Sequence, residues 1–141
     1  MSEIITDKLT GKASAGDVTI TSEGGSATMQ LQQGVAKSWV NFNGTGTIAS
    51  RDSLNVASLT DIGSGNHEIN FSSVMSDANY SRSTHMQREN TTASYANIDG
   101  SYNNDTYSTT SLEVRTIFMN AAASGAVDSP IVSNQIFGDL A

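Results

Sequence analysis

One stretch of the sequence decides the fold class: Trp39-Val40-Asn41-Phe42-Asn43-Gly44-Thr45-Gly46-Thr47-Ile48-Ala49-Ser50. Trp39-Val40-Asn41-Phe42 is typical of a strand, and Trp39 and Phe42 are expected in the core. Asn43-Gly44 then suits a type I′ turn, because both central residues of that turn need positive φ angles. The stretch therefore predicts a strand, a two-residue turn and a second strand, which together form a β-hairpin.

The same period of two returns in the next segment of the chain. In 67–72, Ile69 and Phe71 fall on one face of a strand and polar residues take the other face. Residues 54–60 supply a second strand, and 61–66, rich in Gly and Asn, reads as a flexible loop between the two. We therefore predict a second hairpin across 54–72.

Three further strands are predicted towards the C-terminus. The first covers 80–88 and is polar in character. The second covers 112–119, where apolar and polar residues alternate, and the third covers 131–137, directly after Pro130. Short strands with turn signals roughly every ten residues, and no helical period, are typical of antiparallel β-sandwiches. We expect an all-β fold, a small antiparallel β-sandwich.

Residues 1–38 differ from the rest of the chain. Two short strand patterns, 18–21 and 28–32, lie in this segment, and no aromatic residue precedes Trp39. So few large apolar side chains cannot bury a core of their own. We therefore predict an extended N-terminal arm or β-ribbon over 1–38, which attaches to another surface, followed by the sandwich domain over 39–141.

The composition excludes several classes of protein. The 141 residues contain no Cys, so a disulfide scaffold and a thiolate metal site are both excluded. No run of eighteen apolar residues and no Sec-type signal is present, so we expect no membrane insertion. The net charge of −7 opposes binding to a phosphate backbone, and the seven Lys and Arg are spread along the chain. We expect no nucleic-acid partner.

Catalytic and metal-binding motifs are missing from the sequence. His67 and His85 lie in different predicted strands and lack the spacing of a two-His metal motif. Gly63-Ser64-Gly65 lies in a predicted hairpin loop, whereas a nucleophile elbow needs a strand-to-helix turn. The oxygen-rich segment 99–105 lacks EF-hand spacing and reads as a solvated loop. We predict a protein that is not an enzyme and that holds neither metal nor cofactor.

Two groups of residues are candidates for recognition. The first is a polar stretch with interleaved tyrosines, whose rings offer contact area at a small entropy cost; its members are Tyr95, Tyr102, Asn103, Asn104, Asp105 and Tyr107. The second is a set of cationic positions along one predicted strand, which are candidates for an oligomer interface: Arg82, His85 and Arg88.

Several motifs of this chain resemble a module of tail fibres and other virion structural proteins of tailed bacteriophages, notably marine ones. The similar segments are Lys37-Ser38-Trp39-Val40-Asn41-Phe42, the Gly-Thr repeat at 44–47, and the segments 51–56, 60–65, 70–71 and 77–80. The resemblance covers about 28–84 well, and a closing strand that ends in Phe137-Gly138-Asp139 is similar too. It implies a small β-sandwich that forms a homo-oligomer, a trimer, within a phage particle.

Two functions follow from this resemblance. The first is host-surface attachment by a tail-fibre or tip protein, with 89–111 and the other loops at the sandwich ends contacting a glycan or protein of the host. The alternative is a capsid decoration protein, that is, a cement or head-fibre protein, which stabilises the head through its N-terminal arm. In both cases the expected partners are copies of the chain itself and other virion proteins, and the expected location is the virion. Host attachment would depend on the loops at the sandwich ends, whereas stabilisation of the head would depend on the N-terminal arm.

Overall fold

The structure is a computed structural model of the whole chain. It describes residues 4–11, 18–22, 24–25, 27–87, 98–99, 107–119 and 124–141. The chain divides into two compact units, 1–35 and 36–141. Among the described residues, no helix is long and apolar enough to cross a membrane.

The N-terminal unit contains a small β-ribbon. Strand β1 (Thr19–Thr21) pairs with β2 (Thr28–Gln30) in antiparallel register, and a 3-10 turn, Leu31–Gly34, follows. The two strands expected here from the sequence are therefore present. Every residue of both strands is exposed, because a two-stranded ribbon has no second layer against which a face can be buried.

The second unit is built from two antiparallel sheets. The first sheet has the strand order β4-β3-β11-β7, with β3 Ser38–Asn43, β4 Ala49–Leu54, β7 Ser81–Gln87 and β11 Ile131–Phe137. The second sheet has the order β10-β9-β6-β5, with β8 beside β9; its strands are β5 Val56–Gly63, β6 Asn66–Phe71, β8 Ile98–Asp99, β9 Ser111–Met119 and β10 Ser124–Ala126. The all-β antiparallel sandwich predicted from the sequence is confirmed.

The core comes from alternate residues of the four central strands, β3 and β11 in one sheet and β6 and β9 in the other. Burial alternates along β3, β6 and β11, so each of these strands has one buried face. The buried apolar side chains of these strands are Val40, Phe42, Ile69, Phe71, Leu112, Val114, Val132 and Ile136, and Met75 and Tyr80 join them from the connection between β6 and β7. The alternation read from the sequence at Ile69 and Phe71, and at Leu112 and Val114, therefore identifies the core faces of β6 and β9.

The turn predicted at Asn43-Gly44 is wrong. Asn43 pairs with Ala49 across β3 and β4, so the connection spans 44–48, and in this loop only Gly46 has a positive φ. The Asn43 side chain instead holds the loop: its amide donates to the Thr45 carbonyl at 2.9 Å, and its oxygen accepts from the Thr45 N–H at 3.2 Å. A local Asx hydrogen bond thus replaces the turn geometry that Asn-Gly favours elsewhere.

The hairpin of 54–72 is confirmed, but its loop is shorter than expected. Strand β5 continues to Gly63 and β6 begins at Asn66, so the turn consists of Ser64 and Gly65.

At the start of the sandwich, the Lys37 N–H donates to the Ile136 carbonyl at 2.8 Å and Ser38 pairs with Ile136. Residues 37–38, which the sequence assigned to the arm, therefore pair with β11.

Candidate functional site: the Arg82–Tyr107 surface

The structure describes three of the predicted site residues. Tyr107, Arg82 and His85 lie in the described part of the chain, and the structure brings Tyr107 and Arg82 together. Six others fall outside the described residues: Tyr95, Tyr102, Asn103, Asn104, Asp105 and Arg88.

Arg82 and Tyr107 form a cation–π pair. The Arg82 guanidinium carbon lies 4.9 Å from the centre of the Tyr107 ring, within the range in which a cation is attracted to an aromatic face. Arg82 lies near the start of β7, and Nη1 of its guanidinium donates a hydrogen bond to the Glu113 carbonyl of β9 at 2.7 Å. The side chain therefore links β7 to the opposite sheet and is held in one place.

Two further aromatic rings support this pair from below. The Tyr80 ring lies 5.2 Å from the Tyr107 ring, tilted by 35°, and 6.0 Å from the Phe71 ring in an edge-on arrangement. Phe71 and Tyr80 are buried, whereas Tyr107 is exposed. The three rings thus contact one another in series from the core to the surface, and Tyr107 is the outermost.

Hydrogen bonds fix the turn that carries Tyr107. The buried Tyr80 hydroxyl donates towards the carbonyl oxygens of Ser108 and Ser111, at 3.2 and 3.3 Å. The Ser108 hydroxyl oxygen accepts from the N–H groups of Thr110 and Ser111, the ST-turn arrangement expected of such a residue. A rigid turn presents an aromatic ring at little conformational cost on binding.

The buried position of Tyr80 changes its acidity. Burial disfavours the charged phenolate and raises the pKa of Tyr80 to about 12, and the Ser108 hydrogen bond opposes this only in part. The group is therefore neutral at any physiological pH. The neutral hydroxyl donates to the turn that carries Tyr107.

His85 lies on the other face of β7 from Arg82. Burial alternates along this strand, and the exposed positions include His85, whose ring nitrogen Nε2 lies 3.2 Å from the Ser83 hydroxyl. Strand β7 is the last in its sheet among the described strands. The residues predicted as one interface are therefore divided: Arg82 packs against Tyr107, and His85 faces solvent.

Part of the Tyr107 ring is exposed beside the Arg82 guanidinium, and an aromatic ring next to a guanidinium suits saccharide faces and protein side chains. Among the described residues, no group of His, Asp and Glu side chains is arranged to hold a metal ion.

A second candidate surface belongs to the N-terminal unit. Ile4 and Ile5 are 87% and 85% exposed. Other apolar side chains of this unit are exposed as well: Leu9, Ile20, Met29 and Val35. Single exposed apolar residues are ordinary, whereas contiguous exposed apolar patches are typical of interaction sites, so this unit is a candidate surface only.

Sequence reasoning missed Tyr80 and His67. Tyr80 ends the 77–80 motif and begins the strand predicted over 80–88, but nothing local to it reveals that its ring packs against Tyr107. His67 did carry a signal, because it lies in phase with Ile69 and Phe71 on the buried face of β6. That phase predicts a core histidine.

Comparison of the chain with protein-family models, with curated proteins and with solved structures finds no match.

Proposed function

We propose that this chain is a non-enzymatic structural protein of a tailed-phage particle, joined to its neighbours by the N-terminal unit. The sequence motifs shared with virion modules, Lys37–Phe42 above all, support the phage setting. The antiparallel sandwich is the architecture that the resemblance implies. Of the two functions, the docking or cementing role has the stronger geometric support.

One observation carries this proposal: six large apolar side chains among the described residues of the N-terminal unit are exposed. Burying one Ile side chain contributes about 2 kcal/mol, so an arm that stays exposed forgoes much stabilisation. Ile4 and Ile5 are adjacent, and consecutive residues of an extended chain point to opposite sides. A neighbouring subunit with a groove can therefore bury both.

The test uses particles that lack this protein, purified from a phage with its gene deleted. Added protein is mixed with them, the particles are sedimented, and the bound fraction is measured against concentration. We expect the wild-type chain to bind and the double variant Ile4→Ser, Ile5→Ser to bind about a thousandfold more weakly, from the lost burial of two apolar side chains.

The control is Ile62→Ser, which removes an isoleucine of the sandwich that is 47% exposed. It should bind as the wild type does, and the double variant should give the same melting curve as the wild type. Equal binding by the double variant and the wild type would show that the N-terminal unit is not the docking element.

Host-surface attachment is the second candidate function, and the Arg82–Tyr107 pair favours it. Labelled protein is incubated with cells of the bacterial host, and Tyr107→Ala is compared with Tyr107→Phe, which keeps the ring over which Arg82 lies. Attachment through this surface predicts that Tyr107→Ala loses cell binding and Tyr107→Phe keeps most of it. Equal binding by both variants and the wild type would exclude the role.

A further inference from the structure

The ring of His67 is enclosed within the sandwich. The residue lies in β6 with 0% of its surface exposed, and the Phe42 ring meets it edge-on with 5.4 Å between the ring centres. Neither ring nitrogen has a hydrogen-bond partner among the residues that the structure describes. A neutral imidazole carries one N–H donor and one acceptor nitrogen, so the site leaves both unsatisfied in either tautomer.

The nearest polar group does not satisfy the ring. Oδ1 of Asp61 lies 3.9 Å from Nδ1 of His67, beyond hydrogen-bonding distance, and it already accepts the Gly63 N–H at 3.0 Å. On the other side of the ring, a Cβ on Gly44 would lie 2.8 Å from Nε2. Glycine is required here because the backbone of the 44–48 loop packs directly against the imidazole.

Three chain segments are joined by hydrogen bonds at the end of the sandwich where the Gly44 backbone packs on His67, and we call them the His67 end of the sandwich. They are the loop at Gly44, the turn at Gly65 and the segment 127–129. The Gly44 N–H donates to the Ser129 carbonyl at 2.9 Å, and the Gly65 N–H donates to Oδ1 of Asp128 at 2.6 Å.

The charged groups around His67 are few. Asp61 of β5 and Asp128 of the segment 127–129 face it, while β3 contains no titratable residue. Strand β9 pairs Val114 with His67, and its charged residues, Glu113 and Arg115, occupy the alternate positions.

Desolvation outweighs these two carboxylates. Burial lowers the pKa of His67, and the opposing effects of Asp61 and Asp128 are smaller. The folded protein thus holds the ring neutral, whereas an open form would let it take up a proton at its ordinary pKa near 6.5.

We propose that His67 is a proton-sensitive switch. When its ring takes up a proton, the His67 end of the sandwich opens. An imidazolium has two N–H donors and a full charge, and in the closed site neither nitrogen is hydrogen-bonded to a described residue, with Oδ1 of Asp61 3.9 Å from Nδ1. The charged ring must then reach water, which requires the Gly44 loop to move away from it. Mildly acidic conditions therefore act on one end of the sandwich before the core unfolds.

The sign of the pH dependence follows from linkage. A group with a lowered pKa in the closed state binds fewer protons there than in the open state below pH 6.5. Above pH 6.5 the ratio of closed to open molecules has its highest value. Below pH 6.5 this ratio falls about tenfold for each pH unit, until the pH reaches the pKa of His67 in the closed state.

The experiment measures amide hydrogen exchange of the full chain by NMR between pH 7.5 and 5, corrected for the intrinsic exchange rate. The probes are the amides of Gly44 and Gly65, and the amides of the β3–β11 pairing are the reference. We expect protection at the probes to fall about tenfold per pH unit below 6.5 while the reference stays constant. His67→Leu should abolish that fall, and Asp61→Asn should retain it, which separates His67 from the carboxylates.

The second histidine of the chain provides a matched control. His85 is exposed on β7, and His85→Leu should leave the response unchanged. The proposal is overturned if the wild-type probes keep constant protection down to pH 5, or if His85→Leu removes the response. These two results do not depend on His67→Leu folding, and neither bears on binding to phage particles.

Discussion

The Asn55 side chain binds the backbone of Ser73 at two points. Its Oδ1 accepts the Ser73 N–H at 2.6 Å and its amide donates to the Ser73 carbonyl at 3.0 Å. Asn55 joins β4 to β5, where the chain passes from one sheet to the other, and its φ is +57°. Asn is one of the few residues that tolerates this region, so conformation and hydrogen bonding both favour it at this corner.

We predict that Asn55→Ala lowers the free energy of unfolding by about 2 kcal/mol, from two lost hydrogen bonds and an unfavourable φ. Asn55→Gly keeps the backbone conformation and loses only the hydrogen bonds, so it should cost less. Urea unfolding followed by the fluorescence of Trp39, the single tryptophan, measures both variants. Equal stability of Asn55→Ala and the wild type would contradict this account of the corner.

Gly65 is expected to tolerate no side chain. Its φ is +65°, and a Cβ would lie 2.5 Å from the Val127 backbone nitrogen. Gly65→Ala should therefore cost more than about 2 kcal/mol, because backbone atoms cannot move aside as a flexible side chain can. The matched control is Gly24→Ala, where nothing lies within 4 Å of the added Cβ, and it should leave the melting temperature unchanged. A similar small effect at both positions would argue against the close approach at Gly65.

Tyr80 should make the protein sensitive to alkali. The pKa of Tyr80 in the folded protein is about 12, above the ordinary value near 10, so the folded state holds the proton that the unfolded state releases. Stability from this group is fully present below pH 10 and falls as pH rises from 10 towards 12, at about 1.4 kcal/mol per unit. Unfolding curves at pH 9 and pH 11 should differ more for the wild type than for Tyr80→Phe. The same pH dependence in both would contradict the buried phenol.

The resemblance to virion modules predicts a trimer. Sedimentation equilibrium should give three times the chain mass of 14.8 kDa, and the melting temperature should rise with protein concentration. If the exposed face of β7 takes part, His85→Glu should lower the trimer fraction, whereas Arg51→Glu on β4 should not. A monomer mass with a melting temperature independent of concentration would count against assembly.

The buried face of β6 could be predicted from the sequence, because a strand that is buried on one face alternates between apolar and polar residues. Ile69 and Phe71 alternate with polar residues, and both are buried in the structure. The turn at Asn43-Gly44 could not be predicted from the dipeptide alone. Packing of Gly44 against His67 and the pairing of Asn43 with Ala49 override the local preference for a two-residue turn.

The candidate site was only partly predictable, for a different reason. Tyr107 and Arg82 were both singled out from the sequence, but as members of separate groups. Their contact depends on how β7 lies against the turn before β9, and it is set by sheet packing rather than by spacing along the chain. Long-range pairs of this kind leave no periodic signal in one sequence.

A density map of the intact phage particle would show whether this chain is a virion protein that docks through its N-terminal unit. We expect the sandwich of 36–141 on the particle and the N-terminal unit against a neighbouring protein, with Ile4 and Ile5 in the contact. Purified particles without this protein, or a map in which its N-terminal unit faces only solvent, would contradict that claim.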